Sequence, residues 1–355
     1  MAKAAANQEK VGRLRTELLR WYDGNRRDLP WRGTRDPYAI WVSEIMLQQT
    51  RVAVVVERYR EFMARFPTVI SLASAPEEEI LALWSGLGYY RRARMLHKAA
   101  QVVASTVLGI MPKSAAELRA LPGVGSYTAA AIASIAYGEP VPVVDGNVER
   151  VVCRLAGWNA NGGRGSAALR RKIEALAGRL LNTARPGDFN QAMMELGATV
   201  CLPRNPQCLV CPVAEHCKTR GEHKTAPRPR IVSREVAYAL CVRPGKSRSD
   251  PDAIEVLLEQ RPASVSVMPG MWELPTLREV PENDVRITVR HAIMNVNYVV
   301  RVHDVSVEEL ANLAVSNGER RWILLHAVGG MALTGLARKV LKRVMATRDS
   351  AHPVN

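Results

Sequence analysis

Four of the six cysteines in the chain lie in one short segment, and this cluster constrains the local fold more than any other feature of the sequence. They follow the spacing C-x6-C-x2-C-x5-C, at Cys201, Cys208, Cys211 and Cys217. In a cytosolic setting, such a cluster indicates metal ligation rather than disulfide bonding. The irregular spacing favours an iron–sulfur cluster, because zinc ribbons usually carry two CxxC pairs; a zinc site of four cysteines is the alternative.

The length and the charge of the chain restrict its class. With 355 residues, two domains are expected, since a domain commonly holds about 150 residues. Lys and Arg outnumber Asp and Glu by 49 to 34, which gives a formal net charge of +15. This excess favours a polyanionic partner, nucleic acid before an anionic membrane, over a basic but unspecialised surface. No signal peptide or membrane-spanning apolar run is recognisable, so we expect a soluble cytoplasmic protein without a membrane partner.

Helical periodicity dominates the first two-thirds of the chain. Apolar residues recur at helical spacing from Tyr38 to Arg65, and similar runs continue to Val200 with short linkers between them. This periodicity predicts an all-α domain over residues 1–217, which ends with the cysteine loop at residues 201–217.

The composition and the hydrophobic pattern of the sequence change after Cys217. A polar, basic and proline-bearing stretch predicts an interdomain linker over residues 218–233. Four β-like runs and one amphipathic helix follow, at Val236–Val242, Ala253–Leu258, Val285–Val289, Val296–Val302 and Ala332–Met345. We therefore expect a smaller α+β domain over residues 234–347.

The sequence LPGVGSYT, at residues 121–128, lies between two helical patterns. Gly123 and Gly125 can adopt positive φ angles and leave room for a phosphate to approach the backbone. The alanine-rich helix that follows would point its first N–H groups at that phosphate. The motif, at about residues 115–137, predicts a phosphate contact, and a helical hairpin turn without a ligand is the alternative.

Two carboxylates stand out from their surroundings. Asp145, in VDGNV, precedes a helical run, where an N-cap is the simplest role. Glu44 lies inside the apolar helical stretch WVSEIMLQQT, where burial would raise its pKa and keep it protonated at neutral pH. The alternative is a Glu44 side chain that faces solvent or pairs with Arg51.

These motifs together resemble the MutY-type adenine DNA glycosylases of the helix-hairpin-helix (endonuclease III) superfamily. The resemblance covers about residues 20–220 and, less closely, about residues 234–345. It implies base excision repair of adenine mispaired with 8-oxoguanine, and one structural 4Fe–4S cluster on the four clustered cysteines. It also implies that Glu44 is the general acid, that Asp145 stabilises the positive charge on the sugar, and that Tyr127 and Asn147 complete the catalytic set.

The hairpin motif separates two branches of this superfamily. Endonuclease III-type enzymes carry a lysine in this motif and also nick the strand, whereas this chain has Tyr127, which implies a monofunctional glycosylase. An endonuclease III-like glycosylase and lyase that acts on oxidised pyrimidines is one alternative. A non-catalytic, metal-dependent DNA-binding regulator is another, but it leaves Glu44 and Asp145 without a role.

The resemblance further implies a set of residues that contact DNA or the flipped base. They are Trp31, Arg32, Leu47, Gln48, Gln49, Thr50, Tyr89, Gly123, Gly125 and Ser126. Gln49 and Tyr89 would wedge into the duplex beside the orphan base. For Tyr89 and the adjacent Tyr90, packing in the core is the alternative.

The C-terminal region carries its own resemblance. MPGMWELP, at residues 268–275, resembles a segment of the MutT-like, Nudix-fold domain of MutY proteins, but no REx2EE helix follows, so nucleotide hydrolysis is not expected. Where relatives often carry Phe-Ser-His, this chain offers His291, Met294 and Asn295 as candidates for lesion recognition. The expected partner is double-stranded DNA with adenine opposite 8-oxoguanine, bound by a monomer at the nucleoid.

Overall fold

The computed structural model describes residues 2–158, 167–223, 231–245, 253–265, 267–279, 284–293, 296–315 and 318–349. The chain divides into two compact units, the first of Met1–Ala73 with Met95–Arg228 and the second of Ser74–Arg94 with Pro229–Asn355. In this division the segment Ser74–Arg94 belongs with the C-terminal residues, whereas the sequence places it in a helical domain of residues 1–217. The predicted domain boundaries stay predictions.

Helices occupy the described chain up to residue 199. They are α1 (Ala2–Asn25), α2 (Pro37–Leu47), α3 (Val52–Arg65), α4 (Val69–Ala73), α5 (Glu77–Leu83), α6 (Arg91–Thr106), α7 (Ala115–Leu118), α8 (Ser126–Tyr137), α9 (Gly146–Ala156), α10 (Ala167–Leu180) and α11 (Pro186–Thr199). In the first unit, α1, α9, α10 and α11 share a core that buries Tyr22 and Phe189. Cys201, Cys211 and Cys217 pack against this core. The predicted helical fold class is confirmed, and the cysteine loop is seated on it.

The helical run predicted from Tyr38 to Arg65 is in fact two helices. α2 has Pro37 at its first turn and Asp36 as its N-cap, whose carboxylate accepts a hydrogen bond from the Tyr38 N–H at 3.0 Å. It ends at Leu47, because Gln49 adopts a left-handed φ of 58°, which a right-handed helix excludes. The residues between α2 and α3 therefore form a loop.

α7 and α8 form the predicted helical hairpin. Ser114 and Glu117 make a reciprocal capping box at the start of α7. Gly123 has a φ of 75°, and a Cβ there would lie 2.5 Å from the Met95 Cβ, so glycine is required. Gly125, with a φ of −83°, is the N-cap of α8. The positive φ expected at both glycines is therefore found only at Gly123.

The second unit contains two β-sheets. One has the order β1 (Val232–Leu240), β6 (Val296–Asp304), β5 (Val285–Ile293), with β1 parallel and β5 antiparallel to β6. In the other, β3 (Ile254–Gln260) pairs antiparallel with β2 (Val242–Pro244), β4 (Trp272–Glu273) and β7 (Arg320–Leu324). α12 (Val307–Leu313) and α13 (Gly335–Asp349) complete the unit. Val256, Val300 and Leu341 lie in its apolar core.

The C-terminal region thus mixes strands and helices as predicted, while its likeness to a MutT fold stays a prediction. β1 begins at Val232, inside the predicted linker, and ends before Cys241, so the predicted strand Val236–Val242 is divided between β1 and β2. β4, β7 and α12 are additional elements that are too short to leave a clear periodic pattern. No helix in the described parts of the chain is long and apolar enough to cross a membrane.

Candidate active site and cysteine loop

A cavity of about 530 Å³ lies in the first unit, a size typical of small-ligand pockets. Its walls come from the end of α2, the starts of α8 and α9, and the middle of α11. These elements meet because α2 packs on α8, and α11 packs on both α8 and α9. Ten predicted site residues line the cavity: Trp31, Arg32, Glu44, Leu47, Gln48, Gln49, Thr50, Tyr127, Asp145 and Asn147.

Glu44 is a buried carboxyl group in this cavity, with only 5% of its surface exposed. The Tyr127 hydroxyl donates a hydrogen bond to Glu44 Oε2 at 2.5 Å. Burial raises the pKa of Glu44 to about 7, against the opposing effect of the Tyr127 hydrogen bond and with a further rise from the charge of Asp145. The alternatives of a solvent-facing Glu44 or an ion pair with Arg51 do not describe this structure.

Asp145 combines the two roles that its sequence context allows. It is the N-cap of α9, with Oδ1 accepting a hydrogen bond from the Val148 N–H at 2.7 Å. Its other oxygen, Oδ2, accepts a hydrogen bond from Asn147 Nδ2 at 2.9 Å. Because Asp145 also lines the cavity, capping orients the carboxylate at the site and does not compete with a chemical role.

Arg150 connects this carboxylate to the cysteine loop. Its Nη2 donates to Asn147 Oδ1 at 2.8 Å and to the Gly197 carbonyl oxygen at 2.7 Å. Its Nε donates to the carbonyl oxygen of Cys201 at 2.8 Å. A continuous chain of hydrogen bonds therefore runs from Cys201 through Arg150 and Asn147 to Asp145.

Glu195 is a second buried carboxylate of the same cavity, and our sequence reasoning missed it. Only 1% of its surface is exposed. Arg27 Nε and Arg32 Nη2 donate hydrogen bonds to it at 2.7 and 2.5 Å. Burial opposes the charge, but the hydrogen bonds from the two arginines outweigh burial and lower the pKa of Glu195 to about 2. Its position within the apolar run MMELG was the available signal, the same one that singled out Glu44.

The remaining predicted contact residues are not among those that line this cavity. Gly123, Gly125 and Ser126 lie in the turn between α7 and α8 and at the start of α8. Tyr89, in the second unit, has a left-handed φ of 48° and is 47% exposed, with the Arg92 guanidinium 5.4 Å from its ring centroid.

The two adjacent tyrosines have different environments within the second unit. Tyr90 is buried, and its hydroxyl donates a hydrogen bond to the Leu333 carbonyl oxygen at 3.0 Å. The core alternative therefore describes Tyr90 and not Tyr89. Of the lesion-recognition candidates, His291 is half-buried in β5, while Met294 and Asn295 lie outside the described residues.

The four clustered cysteines line one small cavity, together with Arg154. None of the four forms a disulfide, and Arg154 Nη1 donates to Cys201 Sγ at 3.3 Å. Within the described residues, no three His, Cys, Asp or Glu side chains are grouped to hold a single metal ion. Four sulfur donors around one cavity fit an iron–sulfur cluster, which distributes its cysteine ligands over separate iron atoms.

Two family models match segments of the chain. Residues 42–177 match the HhH-GPD superfamily of base excision DNA repair proteins. Residues 201–217 match the iron–sulfur binding domain of endonuclease III, which confirms the predicted iron–sulfur cofactor over zinc. The class defined by the fold and the site is thus that of the helix-hairpin-helix base excision repair proteins.

Curated relatives narrow this class. Over 327 residues the chain is 34% identical to the adenine DNA glycosylase of Schizosaccharomyces pombe, covering 76% of this chain and 70% of the relative. It is 40% identical over 333 residues to the human (Homo sapiens) adenine DNA glycosylase, covering 78% of this chain and 60% of the relative. The chain belongs to the adenine DNA glycosylase family. It spans about three fifths of the length of the human relative.

A solved structure agrees with the helical fold. A thermostable thymine-DNA glycosylase superimposes with a TM-score of 0.54 and 30% sequence identity, over 61% of this chain and 98% of that one. The similarity therefore spans nearly all of that enzyme.

Proposed function

We propose that the chain is a monofunctional adenine DNA glycosylase that removes adenine mispaired with 8-oxoguanine from double-stranded DNA. The observation that carries the proposal is that Glu44, a buried carboxyl group with a pKa of about 7, shares one cavity with the carboxylate of Asp145. Membership of the family supports the same activity.

Glu44 has the properties of a general acid for a purine leaving group. Adenine departs more easily once its N7 is protonated, and an acid with a pKa near the working pH delivers that proton efficiently. The Tyr127 hydroxyl holds one oxygen of Glu44, which leaves the other oxygen as the donor to the flipped base. A flipped adenine is small enough for a cavity of about 530 Å³.

Asp145 supplies the opposite charge for the same step. Cleavage of the C1′–N9 bond leaves an oxocarbenium-like sugar, and a fixed carboxylate stabilises that cation before water attacks C1′. The Val148 N–H and the Asn147 amide each hold one oxygen of Asp145, so the carboxylate is oriented before the substrate arrives. Glu44 gives a proton to the base, and Asp145 stabilises the positive charge on the sugar.

A strand-nicking step requires an amine that forms a Schiff base with the sugar. The hairpin position that would carry it holds Tyr127, whose phenol is engaged by Glu44 and whose pKa is raised by burial. This supports a glycosylase without lyase activity.

The cluster supplies structural support when bound, through the thiolates of Cys201, Cys208, Cys211 and Cys217. The protein's own contribution is the hydrogen-bond chain in which Arg150 joins the Cys201 carbonyl to Asn147. We therefore assign Arg150 a positioning role for Asp145.

The two units have separate tasks in this proposal. The turn at Gly123 and Gly125 contacts a backbone phosphate of the adenine strand, and Gln49 enters the gap left by the flipped base. In the second unit, Tyr89 is a further residue that contacts the duplex. The C-terminal region, with His291, inspects the base opposite adenine.

The deciding experiment incubates the protein with duplexes that carry adenine opposite 8-oxoguanine, guanine or thymine. Excision is followed by strand breaks with and without alkali. The proposal expects breaks that depend on alkali and a faster rate opposite 8-oxoguanine than opposite guanine. Equal rates on these two duplexes would contradict the specificity, and alkali-independent breaks would contradict the monofunctional assignment.

A further inference from the structure

A second cavity of the first unit, of about 260 Å³, is lined by four arginines, and we call it the arginine cavity. The four are Arg26, Arg32, Arg35 and Arg185. Its walls come from the end of α1, the loop before α2, the end of α8 and the start of α11. Arg32 and Gln191 also line the adenine pocket, so the two cavities share a wall.

The lining of this cavity has an excess of positive charge. Asp188 is its one acidic residue, and Arg185 already holds it at 2.8 Å while also binding Asp23 at 2.7 Å. Arg26 and Arg35 have no hydrogen-bonded carboxylate among the described residues, and both are exposed. Two guanidinium groups are therefore available to an anion that enters the cavity.

Arg32 gives an independent indication of a missing acceptor. Its side chain is 10% exposed, and its Nη2 is held by Glu195 at 2.5 Å. Its Nη1 is buried and has no hydrogen-bond partner in the part of the chain that the structure describes. A buried donor without an acceptor destabilises a protein, and an oxygen of a bound anion would satisfy it.

The N-terminus of α11 lies in the same wall. Pro186, Gly187 and Asp188 line the cavity, and the N-cap residue Arg185 makes no side-chain capping hydrogen bond. Pro186 has no N–H, so Gly187 and Asp188 carry the first N–H groups of α11, which together with the helix dipole favour an anion. A Cβ on Gly187 would lie 2.6 Å from the Ser134 carbonyl oxygen, so the close approach of α11 to α8 at this point requires glycine.

We propose that the arginine cavity is a phosphate-binding site. Arg26 and Arg35 would bind the phosphate oxygens, with the α11 N-terminus and Arg32 Nη1 as further donors. The planar guanidinium fork matches phosphate geometry, and the cavity is smaller than the roughly 300–1,000 Å³ of pockets for drug-sized ligands. The phosphate belongs either to a small molecule or to a nucleic-acid backbone, and the proposal goes beyond the excision of adenine.

The first arm of the test measures thermal unfolding of the full chain with inorganic phosphate and with chloride at equal ionic strength. Phosphate at about ten times its Kd is expected to raise the Tm by roughly 2 °C. The double variant Arg26→Gln/Arg35→Gln should lose this rise. Its matched control, Arg58→Gln/Arg170→Gln, removes two exposed arginines that pair with Glu61 and Glu174 elsewhere in the unit, and it should keep the rise.

The second arm measures binding of an undamaged duplex over a series of salt concentrations. If a DNA phosphate occupies the cavity, the double variant should lower the salt slope by about one relative to the control pair, and inorganic phosphate should compete with the duplex. If a small molecule is the source, the slope is unchanged and the phosphate-dependent rise in Tm persists with DNA bound. Either result supports the site.

The proposal is overturned when the double variant behaves like the control pair in both arms. Circular dichroism in chloride buffer checks that each variant is folded. If the Gln pair is unfolded, Arg26→Lys/Arg35→Lys replaces it, and it should weaken the phosphate response because lysine lacks the bidentate fork. Arg32 and Gln191 stay unchanged in all variants, so adenine excision is a separate readout.

Discussion

Glu44 and Glu195 lie in the same cavity, are both buried, and differ in charge at neutral pH. Glu44 faces a phenol and the negative charge of Asp145, and its pKa rises to about 7. Glu195 accepts hydrogen bonds from two arginines, and its pKa falls to about 2. Burial acts on both in the same direction, so the partners decide the outcome.

One cavity can therefore hold both a proton donor and a fixed anion. The acid needs a burial effect that exceeds the opposing charge of Arg32, and the anion needs paired cations. Glu195 fulfils the second condition by fixing Arg27 and Arg32 in the wall. We expect mutations at the two glutamates to have different consequences, one on the reaction and the other on stability.

Glu44→Gln is expected to give the largest effect. The amide keeps the shape of the side chain but cannot donate an acidic proton, so single-turnover excision of adenine should fall by about 10²–10⁴-fold. Duplex binding and the Tm should change little. Glu61→Gln, on the exposed face of α3, is the control and should keep full activity. A Glu44→Gln protein with wild-type excision would remove Glu44 from the mechanism.

Glu195→Gln should act first on stability. It leaves the charges of Arg27 and Arg32 without their buried counter-ion, and breaking such a pair costs about 3–5 kcal/mol. Urea titration at pH 7 measures the free energy of unfolding. Glu44→Gln, which replaces a group that is half-protonated at this pH, should cost about 1 kcal/mol or less. An equal loss in the free energy of unfolding for Glu195→Gln and Glu44→Gln would contradict this prediction.

The pH dependence of stability sharpens the same contrast. Since the folded pKa of Glu44 is about 7 and its ordinary value is 4.5, the native state binds more protons than the unfolded state between these values. Its contribution to stability is complete below pH 4.5 and is lost as the pH rises to 7. From pH 5 to 8, wild type should lose about 1–3 kcal/mol relative to Glu44→Gln. Equal slopes for the two proteins would contradict the raised pKa.

The rate of excision should follow the same titration, falling about tenfold per pH unit above pH 7 as Glu44 loses its proton.

Tyr127→Phe should give the smallest effect. The Tyr127 hydrogen bond favours the charged form of Glu44, so its loss raises the pKa of Glu44. The pH at which excision begins to fall should therefore rise by about 0.5–1 pH unit, consistent with a hydrogen bond of roughly 1 kcal/mol. If the excision rate of Tyr127→Phe falls at the same pH as that of wild type, Tyr127 does not affect the pKa of Glu44.

Local motifs were the most predictable part of the molecule. Asp145 has its capping geometry because neighbours along the chain impose it, whereas the requirement for glycine at position 123 also depends on the distant Met95. The break between α2 and α3 was not predictable from apolar spacing, since it depends on the left-handed backbone of Gln49. The short strands β4 and β7 form only through their pairing with β3.

The raised pKa of Glu44 was predictable from the sequence, but the lowered pKa of Glu195 was not. Glu44 and Glu195 both lie in apolar helical runs, so the sequence could have singled out either. The partners of Glu195, Arg27 and Arg32, lie more than 160 residues away in the chain. The pattern of residues within one helix cannot predict an ion pair between residues so far apart in the chain.

The helical periodicity, the hairpin, the grouped cysteines and the excess of positive charge follow from the amino-acid sequence alone, because each depends on residue types or on their spacing along the chain. The ion pairs that keep Glu195 charged and the meeting of four arginines depend on the folded arrangement. Ion pairs and pKa values vary with distances in space. Those distances are set by the packing of α2, α8, α9 and α11 and not by the order of residues along the chain.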